Sequence, residues 1–184
     1  LPKRKRNSHS KNQFHETEKI RGHLKRISGV DISLVDGMGV SLAQTVILEC
    51  GTDMGKFPTD KHFCSWLGLA PKHEISGNKV LQNKTLKTKS RAGQAFRMAA
   101  QSVKQANCPF GVLYRRLKAR LGPSQATVAT AHAIARMVYR MLKYQIEYEP
   151  LSVNEYQKLY EEQQIKYMKK RAAKLGYELL PVAG

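Results

Sequence analysis

Acid is what this chain has least of. Only 14 Asp and Glu stand against 32 Lys and Arg, which leaves a net charge of +18. Between positions 30 and 110 the acids are Asp31, Asp36, Glu49, Asp53, Asp60 and Glu74, too sparse to build a paired-metal carboxylate site. Cysteine is nearly as rare: Cys50, Cys64 and Cys108, an odd number with no Cys-x-x-Cys pair. That argues against a disulfide framework and leaves a structural zinc ion without ligand spacing, so no metal is expected in this chain. His62 and Cys64 lie close together, but Cys64 reads as a small core residue on a helix. No Walker loop, His-Glu-x-x-His or Gly-x-Ser-x-Gly occurs, which removes the commonest nucleotide, metalloprotease and hydrolase readings. No apolar run is long enough for a transmembrane span or a signal peptide. A soluble, intracellular protein is expected.

What the chain has in abundance is positive charge, and that speaks to partners more than to fold. Lysine and arginine displace counterions from polyanions, so nucleic acid is the leading partner and an anionic membrane surface the runner-up. With 184 residues, 41% of them hydrophobic, there is material for one domain with a real core. Residues 1–25 read as a basic arm, with Lys3, Arg4, Lys5 and Arg6 in "LPKRKRNSHSKNQ", running into the end of a linker helix. The chain starts within a charge run and without Met, which suggests a fragment. Residues 26–150 read as the main domain and 151–184 as a C-terminal helical extension.

The periodicity is helical nearly throughout, so the expected class is all-α. Phe14, Ile20, Leu24 and Ile27 share a helical face. Short helical runs flank "DGMG" at 36–39, and the second, Val40–Glu49, stops at Gly51. This is a helix-hairpin-helix-like element. Gly37 and Gly39 are expected to turn with positive φ and to leave the next helix's amides facing a phosphate; a plain αα turn has the same residues. Thr59 is placed to cap a helix that carries Phe63 and Trp66. Trp66 is a conceivable stacking surface for a base, but its helical face is apolar and it reads as core. The stretch "KHEISGNKVLQNKTLKT" is irregular, with a small β-excursion through Val80 and Leu81. Helices over 90–106, 110–122 and 123–145 follow, the last with a stripe of Val128, Ala131, Ile134, Ala135, Val138, Met141 and Leu142. After Pro150 comes a last amphipathic helix with Tyr156, Tyr160 and Tyr167.

One constellation has chemistry in it. Ser76 sits on a Ser-Gly turn and is followed by Lys79, Lys84, Lys87, Lys89, Arg91 and Arg97. A phosphodiester under attack gains negative charge, which nearby cations stabilise. Arginine does this best, since its planar fork holds two phosphate oxygens at once. Gly77 lets the backbone approach DNA closely. The same residues also describe a basic loop that binds phosphate without cutting it. Tyr114, between arginines in "LYRRLKAR", is a second hydroxyl, but its spacing to Phe110, Leu113 and Leu117 fits packing.

The order "ISGV…DGMGVSLAQTVILECGTDMGKFPTDKHFCSWLGLAPKHEISGNK…KTKSRAGQAFRMAAQSV…FGVLYRRLKA…ATVATAHAIARMVYRMLK" resembles the C-terminal transposase domain of the insertion-sequence one-ten family, the Piv/MooV type of DNA recombinase, over about residues 26 to 148. The shared pattern is a glycine hairpin, a helix ending in acid-x-Gly, a Phe-x-Ser/Thr cap, "GLAP", a Ser-Gly turn, a basic strip and an Arg-containing helix. The resemblance implies a two-part recombinase. An acidic RNase H-like domain, absent from this sequence, holds magnesium. The helical domain carries a serine that links to DNA as phosphoserine, here Ser76. Arg91 and Arg97 become candidates for charge stabilisation. Gly37, Gly39, Lys79, Lys84, Lys87, Lys89, Arg91 and Arg97 become candidate nucleic-acid contacts. The resemblance also implies DNA and a guide-like RNA as partners, self-association, and a nucleoid-associated place in a prokaryotic cytoplasm. Without the acidic half, such a chain is expected to bind nucleic acid but not to recombine it. Asp36 departs from the family's usual proline and is expected to weaken phosphate affinity there. The competing reading is a non-catalytic helical DNA- or RNA-binding module, a transposase remnant.

Overall fold

The computed structural model of the chain describes residues 17–76, 79–85 and 90–180, with backbone only for 72–76 and 79–85. The arm residues Lys3, Arg4, Lys5 and Arg6 lie outside the described residues, as do Gly77, Lys87 and Lys89. The chain divides into two compact units with the boundary between Pro150 and Leu151.

In the first unit, α1 (Thr17–Ser28) leads to a 3-10 turn at Ile32–Leu34, then α2 (Val40–Cys50) and α3 (Asp60–Trp66). Strands β1 (Pro71–Ser76) and β2 (Lys79–Thr85) follow, then α4 (Arg91–Ser102), α5 (Pro109–Leu121) and α6 (Pro123–Tyr144). The packed body is helical, as the periodicity implies. The irregular stretch forms a two-stranded antiparallel hairpin in which Val80 pairs with Ile75, with a bulge between Glu74 and Ile75.

α6 is the hub, packing on α3, α4 and α5. Its stripe of Ala131, Ile134, Ala135, Val138, Met141 and Leu142 is buried, and so are Ala92, Ala95, Ala99 and Ala100 on α4. Alanines on both helices let the backbones come close, and larger side chains fill the space around them. Phe63 is the aromatic centre. Its ring meets Phe57 at 5.1 Å, Tyr139 at 5.7 Å and Phe96 at 6.3 Å between centroids, edge-on or tilted, the preferred arrangements for aromatic quadrupoles. Burying these groups against solvent is the main source of stability.

Polar residues set where the helices start, stop and cross. Thr59 accepts the His62 amide at the start of α3, and Gly51 ends α2 with φ +71°. Arg21 of α1 is fully buried and donates through Nε to Asp31 Oδ2 at 2.7 Å. Asp31 Oδ1 also takes the Ser33 hydroxyl at 2.6 Å and the Ser33 amide at 3.1 Å. A buried charge pair of this kind costs little only because both members are hydrogen-bonded. α1, read from the sequence as the end of a linker, is thereby tied into the body.

In the second unit, α7 (Val153–Lys174) opens with a capping box between Ser152 and Glu155, a self-contained helix start. None of its residues is buried.

Candidate nucleic-acid interface

The two glycines of "DGMG" play different parts. Gly37 turns with φ +82°, and a Cβ there would lie 2.5 Å from Ala99 O and 2.6 Å from Val103 Cγ1. Its carbonyl accepts the Ser102 hydroxyl at 3.1 Å. Gly37 is therefore a packing glycine that seats the turn on the end of α4. Gly39 does not have the positive φ expected for it. It is the extended N-cap of α2, φ −85°, with no side-chain cap and nothing within 4 Å of an added Cβ. Asp36 has a definite partner: the Tyr148 hydroxyl donates to Oδ2 at 2.8 Å. Burial, reinforced by that carboxylate, raises the Tyr148 hydroxyl's pKa.

The hairpin grows from a frame held on both sides. Upstream, α3 ends at Trp66. The carbonyl of Leu67 abuts Gly93 so closely that no side chain fits at 93, and Arg97 Nη2 donates to Gly68 O at 2.8 Å. Downstream, the first turn of α4 is held by Glu49. Its carboxylate accepts the Ser90 hydroxyl at 3.1 Å and the amides of Arg91 at 3.0 Å and Ala92 at 2.6 Å. Ser90 Oγ in turn accepts the Gly93 amide at 3.0 Å. A carboxylate at a helix N-terminus satisfies orphan amides and meets the positive end of the dipole. The acid of the acid-x-Gly element (Glu49-Cys50-Gly51) thus has a job that periodicity does not show.

Ser76 is the last residue of β1 and stands opposite Lys79, the first of β2; Lys84 stands opposite Lys72. Arg91 is exposed on the first turn of α4. Arg97, half-buried, has its guanidinium on Gly68 O. The hairpin thus carries Ser76 and Lys79 at its turn end and Lys84 near its open end, whereas Gly37 is committed to packing.

Among the described residues no three His, Cys, Asp or Glu side chains gather as metal donors. Four of the described acids are engaged one by one: Asp31 with Arg21, Asp36 with Tyr148, Glu49 with α4, and Asp60 with Arg136 at 2.6 Å. Other nucleophiles are poorly disposed. Burial pushes Cys50 and Cys64 up to about 12, far from the thiolate needed for attack, and moves Cys108 the same way. Tyr114 is 3% exposed and packed, as its spacing implies. Trp66 overturns the core reading: it is 45% exposed.

Residues 32–115 match the model of the transposase IS116/IS110/IS902 family. Over that stretch, a little under half of the chain, the protein is similar to a transposase domain of that family. The matched stretch runs from the 3-10 turn into α5 and includes the whole hairpin, the Glu49 cap and Arg97. α6 lies beyond it, although it packs on three of the helices inside or overlapping it. No curated protein and no solved structure matches the chain. A transposase domain acts on DNA, which places the chain in DNA transposition and recombination. No helix among the described residues is long and apolar enough to cross a membrane.

Proposed function

We propose that this is the serine-bearing half of a two-part transposase, working by transesterification. Ser76 Oγ gives up its proton and forms a bond to a DNA phosphorus. The bond from that phosphorus to a DNA oxygen breaks, and the departing oxygen takes a proton. The phosphoserine conserves the ester, and a DNA hydroxyl later attacks it and frees Ser76. Lys79, Lys84, Lys87, Lys89 and Arg91 offset the charge that develops on phosphorus oxygens. Gly39, at the uncapped start of α2, is a further backbone contact for phosphate. Any magnesium the reaction uses is held by acids outside this chain. DNA is the substrate, a guide-like RNA selects it, and two copies or more hold the two DNAs, in the nucleoid of a prokaryotic cell.

The observation that carries the proposal is the position of Ser76 at the turn end of an antiparallel hairpin, directly opposite Lys79 and within the family match. A nucleophile gains from being held in place before reaction. The test joins this chain to an acidic partner domain and supplies nicked element-end DNA, RNA and magnesium. A protein–DNA adduct should appear on a denaturing gel and vanish in Ser76→Ala. An adduct that survives the substitution would move the nucleophile elsewhere.

One observation favours the alternative, a non-catalytic binding module. Arg97, a candidate for charge stabilisation, is spent on a backbone carbonyl. If Arg97→Lys loses thermal stability and keeps adduct formation, Arg97 belongs to the frame and the serine reading stands. Tight binding without any adduct, where an active relative forms one, would favour the module.

A further inference from the structure

Trp66 is the only tryptophan in the chain, and the fold leaves it 45% exposed at the end of α3. Its ring is braced from behind: Phe57 stands 5.5 Å away at 54°, and Phe57 itself is buried on Phe63. The visible part of the indole is therefore a fixed ledge rather than a loose side chain. Its surroundings are cationic and polar. Lys61, His62 and Ser65 are exposed on the same short helix, and His62 lies one turn from Trp66, at the i,i+4 spacing that makes neighbours. The ammonium of Lys56 sits over the Phe57 ring at 5.5 Å. The one acid of α3, Asp60, is neutralised by Arg136. Nothing in the packing requires an indole here, since Phe63 and Phe57 already fill the core behind it.

We propose that Trp66 is a stacking platform for an unpaired nucleobase of single-stranded DNA or RNA, next to the hairpin that carries Ser76. An exposed, braced aromatic face on a basic chain suits single strands, because every base has a π-face and cations such as Lys61 are available for the flanking phosphates. A paired base inside a duplex does not present that face, so the occupant is a strand already opened. The proposal rests on the reading of the chain as a nucleic-acid enzyme and adds a contact that selects unpaired substrate.

Because no second indole interferes, Trp66 emission in the full 184-residue chain reports stacking directly. The probes are oligothymidine, oligouridine, a DNA duplex and an oligomer of abasic deoxyribose phosphates of equal length. Binding is followed separately by anisotropy of labelled strands at low salt. Single strands with bases should quench the emission; the abasic oligomer and the duplex should bind with little quenching. Trp66→Ala should weaken single-strand binding about tenfold or more, in line with the worth of one stacked base, and Trp66→Phe should recover much of it with an unchanged melting temperature. DNA and RNA arms show which strand is preferred. Binding without quenching, equal for abasic and base-bearing strands and indifferent to Trp66→Ala, would overturn the stacking role and leave the transposase reading intact. No binding to any strand would overturn both.

Discussion

Replacing Glu49 with alanine removes three hydrogen bonds from the first turn of α4: the Ser90 hydroxyl and the amides of Arg91 and Ala92 all lose their acceptor. A lost helix cap costs about 1 kcal/mol, and hydrogen bonds to a charged group contribute about 1.5–3 kcal/mol each. These terms overlap. Arg91 is exposed and Glu49 only half-buried, so water replaces part of what is lost. The net expectation is about 2 kcal/mol, or roughly 4–8 °C in melting temperature for a chain of this size. Glu49→Gln keeps one acceptor oxygen without the charge and should fall about halfway. Ser90→Ala loses the hydroxyl cap on Gly93 but leaves the carboxylate on the two amides, and should cost about 1 kcal/mol. The assay is thermal unfolding followed by far-UV circular dichroism. A Glu49→Ala protein that melts within about 1 °C of the parent would refute the claim that this carboxylate fixes the downstream foot of the hairpin. A loss equal in Glu49→Gln and Glu49→Ala would assign the whole effect to charge.

Two further outcomes follow from the geometry. Gly37→Ala should destabilise by about 2 kcal/mol or more, since its φ is unfavourable for a side chain and Ala99 O leaves no room; Gly39→Ala, open and in ordinary backbone geometry, should cost clearly less, about 0.5–1 kcal/mol for a poorer N-cap residue. His132 has its pKa lowered chiefly by burial and then by Arg136. Below its ordinary value of about 6.5 the unfolded chain takes a proton that the folded chain resists. Stability should therefore fall as pH drops from about 6.5 towards the lower folded value, and His132→Gln should flatten that slope in melts run across about pH 7 to pH 5.

Much of the fold is legible in the sequence because helices announce themselves locally. The apolar stripe of α6, the stop at Gly51 and the cap at Thr59 depend on neighbours a few positions away. Val80 and Leu81 show as a β-excursion for the same reason. The features that hold the site are of another kind. Glu49 reaches 43 positions to Ala92, Arg97 reaches 29 to Gly68, and Tyr148 reaches 112 to Asp36. Nothing in a periodic pattern distinguishes an acid that caps a distant helix from one that faces water. Trp66 fails in the opposite direction. Its helix has one apolar face, but α3 is only seven residues long, so that face is filled by Phe63 and Cys64 and the indole falls at its edge. Gly39 was expected to match Gly37 because the two share a motif; only the first is pressed against α4. The candidate site was readable as an ordered series of short pieces, each weak alone, and the hairpin that joins Ser76 to Lys79 gives that series a common scaffold.

The most direct test of the central claim is to find the atom that carries the DNA. The trapped protein–DNA adduct is digested with nuclease and protease, and the modified peptide is sequenced by mass spectrometry. A nucleotide phosphate attached to Ser76, the last residue of β1, is the expected result. Attachment at any other hydroxyl, Tyr114 included, would contradict it.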